Sequence, residues 1–211
     1  LVKVSPAQVV FTSGGTEANN FALNGWNGPL FISAVEHDSV LAMPNALRIP
    51  VSANGQIDLA ALELALAAAK QPALLSVMLV NNETGTIQPI AQIAAIAKRF
   101  GATLHCDTVQ AAGKIPLDFA ALGAGMLTLS AHKIGGPQGC GALIVAEKVP
   151  LTPLLRGGGQ EKRRRAGTEN LVGIAGFGAA AAIAHEDLAL QPRLGEWRDT
   201  MEQTILQAAP E

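Results

Sequence analysis

Short apolar runs alternate along this chain with Ala- and Leu-rich segments of helical period, and this alternation constrains the fold more than any other feature. It is typical of parallel strands joined by helices that cover the sheet. The runs at 74–80 and 126–130 are nearly all apolar, as expected of central strands buried on both faces, which favours an α/β sheet over a sandwich. The predicted strands are residues 9–12, 30–34, 74–80, 102–106, 126–130 and 142–146.

The predicted helices lie between these strands. The clearest cover residues 58–70, where Asp58 is a good N-cap, residues 90–100 after Pro89, and a segment from residue 168 onward. The longest apolar stretch, 171–184, is shorter than the about 20 residues that a membrane-spanning helix needs, so we interpret it as a buried helix. After Leu188 the chain becomes more charged, which indicates an exposed helix.

Composition excludes several classes of protein. Of the 211 residues, 49% are hydrophobic, so the chain is not expected to be disordered. Its 15 Lys and Arg nearly balance its 17 Asp and Glu, which argues against a general nucleic-acid binder. Two cysteines do not make a disulfide framework at this length, and no signal-peptide pattern opens the chain, so we expect a cytoplasmic protein. Because Leu1 rather than Met comes first, we also expect a piece of a longer chain.

Polar residues follow five of the predicted strands. Ligands of open parallel sheets bind at the carboxyl ends of the strands, so these residues are the candidates for a functional site. We expect the five strand ends to converge on one edge of the sheet. They are residues 12–17 (TSGGTE), 36–38 (EHD), 81–85 (NNETG), 105–110 (HCDTVQ) and 130–133 (SAHK).

Segment 13–16 (SGGT) opens a helix, where the backbone amide of Gly15 and the hydroxyl of Thr16 lie at the positive end of the helix dipole. This arrangement suits a phosphate, although Gly-Gly after a strand is more often a tight turn. Its spacing matches neither a dinucleotide-binding fingerprint nor a P-loop. A basic segment, 160–165, precedes Gly167 and Thr168, which could present further donors to an anion across a subunit interface.

Lys133 leaves a buried strand and enters a glycine-rich loop. Its ammonium group could simply remain in water, with the aliphatic stem covering the edge of the sheet. Alternatively it could form a Schiff base with a carbonyl compound, and its position beside Ser130 and His132 favours this interpretation.

Asp107 also ends a strand. It could cap the next helix, or it could keep a pyridinium nitrogen protonated so that the ring becomes an electron sink.

Three more polar residues on this edge have both a structural and a functional interpretation. His37 could be a structural histidine, or its flat imidazole could stack on an aromatic cofactor. Asn82 and Gln110 could be ordinary loop residues, or their amides could bond a phenolic oxygen or a substrate carboxylate.

No cysteine pair has zinc-site spacing, so no metal site is predicted, and we interpret Cys106 and Cys140 as small buried hydrophobic residues.

Together these segments closely resemble the cysteine desulfurases, which are class V, fold-type I enzymes dependent on pyridoxal phosphate. The resemblance runs in order through nearly the whole chain and rests on segments 12–20, 36–37, 81–85, 105–110, 130–133 and 165–170. It implies that residues 1–211 form the cofactor-binding large domain, an α/β fold with a mostly parallel central sheet covered by helices. The family's N-terminal segment and C-terminal small domain would lie outside these residues, and with them the sulfur-accepting cysteine and an arginine that binds the substrate.

The resemblance also implies a role for each candidate residue. Lys133 would form the Schiff base with pyridoxal 5′-phosphate, Asp107 would pair with the pyridine nitrogen, and His37 would stack on the ring as a second catalytic residue. Gln110 would bond the phenolic oxygen, and Asn82 would contact the substrate or the ring oxygen. The phosphate would be held by Gly15, Thr16, Ser130, His132 and, from the second subunit of a homodimer, Thr168.

By the same resemblance, the parent enzyme would convert L-cysteine to L-alanine and pass the sulfur, through an enzyme persulfide, to an acceptor protein for iron–sulfur cluster or thio-cofactor assembly. We expect the chain not to turn over cysteine alone, and to have no nucleic-acid or membrane partner. Two alternatives stay open: another class V enzyme, such as an aminotransferase or a selenocysteine lyase, and a scaffold domain without catalysis. Segments 82–85 and 165–168 favour the desulfurase, and Lys133 with Asp107 counts against the scaffold.

Overall fold

The computed structural model describes residues 1–209, in which seven strands form one sheet in the order β1-β7-β6-β5-β4-β2-β3. Of the six neighbouring strand pairs, the two that involve β7 are antiparallel and the other four are parallel. The strands are β1 (Val9–Thr12), β2 (Leu30–Ser33), β3 (Leu47–Ile49), β4 (Leu74–Met78), β5 (Thr103–Asp107), β6 (Met126–Ser130) and β7 (Gly141–Val145).

Helices connect these strands and cover both faces of the sheet. One face packs on α1 through Ala18 and Phe21, and the other packs on α3 and α4 through Leu62 and Ile93. The helices are α1 (Gly15–Asn24), α2 (Asp38–Leu41), α3 (Leu59–Ala68), α4 (Ile90–Arg99), α5 (Phe119–Leu122), α6 (Gln160–Arg163), α7 (Leu171–Glu186) and α8 (Gln191–Ala208). One-turn 3-10 helices cover Pro6–Gln8, Ala131–Ile134 and Asp187–Leu190.

Local sequence explains where α3 begins and which face of α4 packs on the sheet. The carboxylate of Asp58 accepts hydrogen bonds from the backbone amides of Ala60 and Ala61, so it caps α3 as predicted. In α4, Ile90, Ile93 and Ile96 are buried at helical spacing, and this apolar stripe faces the sheet. The mostly parallel α/β sheet predicted from the sequence is confirmed.

Two sequence predictions about elements are wrong. Strand β3 is missing from the prediction because Leu47 and Arg48 are exposed, so this short edge strand has no apolar run to mark it. The helix expected from residue 168 begins at Leu171, where the side chain of Asn170 caps it by accepting from the amide of Gly173. That helix, α7, is not buried all round, since its side chains at Val172 and Ile183 are exposed.

The helical stretch Leu171–Ala208 is long and apolar enough, by length and composition alone, to cross a membrane. Only 22% of its most apolar window is buried within the described residues. Core helices of soluble proteins pass the same test, so the observation is weak evidence. Its second part, α8, also carries charged residues, including Arg198, Asp199 and Glu202.

Candidate active site

One cavity of about 530 Å³ lies at the carboxyl edge of the sheet, where the ends of β1, β2, β4, β5 and β6 meet. Its walls include residues from each of these five strand ends, as the sequence predicted. All the predicted site residues except Thr168 line it: Gly15, Thr16, His37, Asn82, Asp107, Gln110, Ser130, His132 and Lys133. What each of them does there stays a prediction.

The N-terminus of α1 forms one end of the cavity. Gly14, Gly15 and Thr16 present the free amides of the first helical turn, and the hydroxyl of Ser130 lies 3.0 Å from Nδ1 of His132 on the facing loop. A Cβ atom on Gly15 would come within 3.1 Å of the Val109 side chain, so a glycine lets the helix approach the turn after β5 closely. Amides, hydroxyls and an imidazole at a helix N-terminus can bind a phosphate.

Asp107 forms a buried part of the cavity wall. Its Oδ2 accepts from Nδ2 of Asn19 at 2.7 Å, and its Oδ1 accepts from the amide of Val109 at 2.9 Å. Burial raises the pKa of Asp107, and the hydrogen bonds from Asn19 and Val109 oppose that rise. A buried carboxylate without a Lys or Arg partner gains from any cation that enters the cavity.

A chain of hydrogen bonds connects Asp107 with His37. Asn19 donates from Nδ2 both to Asp107 and, at 2.9 Å, to the hydroxyl of Ser39. That hydroxyl lies 2.9 Å from Nδ1 of His37, which also accepts from the amide of Ser39 at 3.1 Å. Nδ1 of His37 is therefore the acceptor in this pair of contacts. This chain fixes the imidazole relative to the carboxylate.

Sequence reasoning missed Asn19 and Ser39 as site residues. Asn19 is 1% exposed and lies among the apolar residues of α1, where a polar side chain needs a specific partner. An amide inside the buried face of a helix was therefore the signal that could have identified it. Ser39 follows His37 by two residues, a spacing that also occurs in ordinary helix caps, so it carried no separate signal.

Lys133 lies in the one-turn helix Ala131–Ile134 directly after β6, and its side chain is exposed at the cavity. A second lysine, Lys114, is close enough to sense its charge: burial lowers the pKa of Lys114, and the charge of Lys133 lowers it further. Asn82 and Gln110 line the cavity as half-buried side chains.

Thr168 lies outside the cavity, on an exposed loop before α7. This loop is tied to the cavity wall by an ion pair in which Nε of Arg165 lies 2.8 Å from Oε1 of Glu17. Burial alone would raise the pKa of Glu17, but hydrogen bonds from Arg165 and from Ser13 lower it below its usual value. Within one chain, therefore, Thr168 is not placed to contact a ligand in the cavity.

Both cysteines of the chain are free and buried, Cys106 in β5 and Cys140 just before β7. Burial raises the pKa of each thiol, and the charge of Asp107 raises that of Cys106 further. The interpretation of both as small buried residues is confirmed. Among residues 1–209, no group of His, Cys, Asp and Glu has the arrangement of a metal site.

Comparison with known proteins agrees with this arrangement. The family model for aminotransferase class V matches residues 1–205. A cysteine desulfurase of Sinorhizobium fredii is 42% identical over 97% of this chain and 56% of its own length. The chain thus spans just over half the length of the curated relatives that it matches.

Solved structures show the same similarity. A NifS-like protein from Rickettsia africae superposes with a TM-score of 0.92 at 40% identity, over 96% of this chain and 58% of that protein. The protein SspA, solved in complex with cysteine, superposes with a TM-score of 0.79 at 34% identity, over 86% of this chain and 56% of its own.

Proposed function

This chain belongs to the aminotransferase class V family, and from that premise we propose that its cavity binds pyridoxal 5′-phosphate for a cysteine desulfurase reaction. The observation that carries the proposal is that Asp107 at the end of β5 and Lys133 just after the adjacent strand β6 line the same cavity as the N-terminus of α1. A covalent anchor, an anionic partner for a ring nitrogen and a phosphate site are then available to one ligand.

The residues present fit this cofactor. Asp107 is a buried acceptor with no ion pair to a Lys, Arg or His in the described part of the chain, which suits a protonated pyridine nitrogen. The amides and hydroxyls at the N-terminus of α1 suit its phosphate, which needs several convergent donors. When bound, pyridoxal phosphate supplies an electron sink for bonds that break at the substrate carbon. The cavity, at about 530 Å³, is within the range of small-molecule sites.

We assign the following roles. Lys133 attaches the aldehyde covalently through its amine, Asp107 holds the ring nitrogen protonated, and His37 stacks on the ring in the orientation that Ser39 and Asn19 fix. Gln110 donates to the phenolic oxygen, and Asn82 contacts the ring oxygen or the substrate. The phosphate is bound by Gly15, Thr16, Ser130 and His132.

The substrate assignment rests on the relatives. Those at about 40% identity are cysteine desulfurases, and SspA has been solved with cysteine. We therefore propose L-cysteine as substrate and L-alanine as product, with the sulfur passing to a cysteine thiolate as a persulfide. Because Cys106 and Cys140 are both buried with raised thiol pKa values, neither is the residue that takes the sulfur.

Two further parts of the proposal concern assembly and location. Thr168 contributes to the phosphate site only if a second copy of the chain brings it there, so we propose a homodimer. We place the protein in the cytoplasm, since its two cysteines are free thiols. Iron–sulfur cluster or thio-cofactor assembly, through an acceptor protein, is the proposed use of the sulfur.

The cofactor proposal is tested by adding pyridoxal phosphate to the purified chain. We expect a yellow absorbance band and, after borohydride reduction, a cofactor that stays attached through denaturation. Lys133→Ala should abolish both signals. Lys114→Ala, which removes a neighbouring amine, should keep both. A colourless wild-type protein, or equal attachment in Lys133→Ala, would contradict the proposal.

The substrate proposal is tested on the loaded protein by the change in cofactor absorbance on adding amino acids. L-Cysteine should change the spectrum at lower concentration than L-aspartate does. The reverse order of affinities would favour an aminotransferase instead.

A further inference from the structure

A second carboxyl group, that of Glu36, is buried close to Asp107 without lining the cavity. Its Oε1 accepts both from the hydroxyl of Ser33, at 2.5 Å, and from the amide of Met78, at 2.8 Å. Its Oε2 has no hydrogen-bond partner among residues 1–209. Glu36 thus joins the ends of β2 and β4, and Met78 pairs directly with Asp107 in the register of β4 and β5.

This distribution of hydrogen bonds costs less free energy for a neutral carboxylic acid than for an ionised carboxylate. A carbonyl oxygen accepts hydrogen bonds, whereas the hydroxyl oxygen of the acid is itself a donor. An ionised carboxylate with one oxygen buried and unpartnered would carry a large desolvation cost. Both donors on one oxygen and none on the other therefore assign the proton to Oε2.

The charges around Glu36 lead to the same assignment. Glu36 and Asp107 are 5% and 4% exposed, and neither has an ion pair with a Lys, Arg or His within residues 1–209. Two neighbouring carboxyl groups in a buried site share one negative charge more favourably than they carry two. Asp107 accepts on both of its oxygens, from Asn19 and Val109, so it is the better site for that charge.

We propose that Glu36 is a neutral carboxylic acid in the folded protein, with its proton on Oε2, and that as a positioning residue it leaves Asp107 as the anion at these strand ends. The second half of this statement rests on the proposed function, because it concerns the partner of the ring nitrogen. The first half concerns the protein alone.

The groups that face Glu36 support the assignment. Burial raises the pKa of Glu36 to about 8, and the charge of Asp107 on β5 adds to that rise. Cys106 on β5 is another titratable group near these carboxyl groups, and the charge of Asp107 raises its thiol pKa. His37 follows in the chain, and its Nδ1 is occupied by Ser39.

The charge state is tested on the protein without cofactor. Glu36→Gln keeps a carbonyl acceptor for Ser33 and Met78 and should fold. Since the folded pKa is about 8 against 4.5 for a free side chain, the folded state binds the extra proton between these values, and wild-type stability is lost across that interval as pH rises. From pH 5 to pH 9, the folding equilibrium constant of the wild type should fall by about tenfold or more relative to Glu36→Gln. Parallel pH profiles would overturn the proposal.

A second measurement does not depend on a variant. Infrared spectra of protein labelled with carbonyl-¹³C glutamate should show the band of a protonated glutamic acid at pH 7, when ordinary glutamates are ionised, and this band should disappear as pH rises toward 9. Asp107→Asn removes the neighbouring negative charge and should lower the pH at which the band disappears. Absence of the band at pH 7 would overturn the proposal.

These experiments separate the inference from the proposed function. If the labelled band is present but pyridoxal phosphate does not bind, the charge assignment stands and the cofactor assignment fails. If the cofactor binds through Lys133 but the band is absent, the reverse holds.

Discussion

At the scale of the residue, the amide of Asn19 connects the two groups that would contact the cofactor ring. Asp107 and His37 come from strands that are not neighbours in the sheet, and the hydrogen bonds through Asn19 and Ser39 are what the structure shows between them. A side chain that is only 1% exposed can therefore set the geometry of the site.

We predict that Asn19→Ala weakens binding of pyridoxal phosphate by about tenfold or more, because Asp107 loses a charge-assisted hydrogen bond of about 1.5–3 kcal/mol. Fluorescence or absorbance titration with the cofactor measures this loss. Asn24→Ala is the matched control, since Asn24 is an exposed amide on the same helix and should leave affinity unchanged. Equal affinities for Asn19→Ala and the wild type would contradict the role assigned to Asn19.

The second residue-scale prediction concerns His105, a buried histidine in β5. His105 lies between Ser76 and Thr128, whose hydroxyls are each 2.9 Å from one of its ring nitrogens, so three adjacent strands are joined by one imidazole. Burial lowers the pKa of His105 to about 3 from the usual 6.5. The unfolded chain therefore binds a proton that the folded protein does not bind between these values.

Stability should consequently fall as pH decreases from about 6.5 toward 3. We expect His105→Gln to remove about 3 kcal/mol of the stability that the wild type loses between pH 7 and pH 4. Urea unfolding of both proteins across this range measures the difference, which isolates His105 from the other titrating groups. Profiles of identical slope would mean that His105 is charged in the folded state.

At the scale of the element, β7 sets the position of the loop before α1, which lies at the proposed phosphate site. Gly141 at the start of β7 pairs with Thr12 on β1 and with Ser130 on β6. A Cβ atom on Gly141 would come within 2.5 Å of the backbone of Gly14, so a side chain there pushes the loop before α1 out of place.

Gly141→Ala should therefore weaken binding of pyridoxal phosphate by about tenfold or more and lower stability by about 1–3 kcal/mol, as overpacking does. Cofactor titration and urea unfolding test the two effects. Gly178→Ala, on α7 with open space around it, serves as the control and should be neutral or stabilising by up to about 1 kcal/mol. Unchanged affinity in Gly141→Ala would show that the loop before α1 does not carry the phosphate.

Elements with a strong apolar run were predictable from the sequence, and others were not. Strands β1 and β6 begin and end where the runs at 9–12 and 126–130 do. Strand β3 was not predictable, because its pairing with β2 rather than its own side chains makes it a strand. The antiparallel direction of β7 was equally hidden, since apolar runs carry no information on strand direction.

The site residues, like the strands, were only partly predictable from the sequence. Residues at or just after strand ends, such as Asp107 and Lys133, were predictable because parallel topology alone brings strand ends together. The supporting residues Asn19 and Ser39 are determined by side-chain contacts between elements distant in the sequence, which no spacing rule encodes. The charge state of Glu36 depends on the same contacts and on burial.

At the scale of the whole molecule, the reactivity of the buried cysteines shows whether the sheet has unfolded. Cys106 is 0% exposed in the middle of the sheet, and Cys140 is 1% exposed. We predict that a thiol reagent modifies neither residue in the native protein and modifies both in urea, because reaction of Cys106 requires the sheet to separate. Counting modified thiols by mass spectrometry tests this. Rapid modification of Cys106 in native buffer would contradict the packing.

The reversed direction of β7 has a consequence for motion. Ser130 and Gly141, which bracket the segment that carries Lys133, are hydrogen-bonded neighbours in the sheet. Both ends of that segment are thus held against each other, so Lys133 lies on a loop whose base is fixed by the sheet. We expect motion of this segment to be confined to the residues between these two ends.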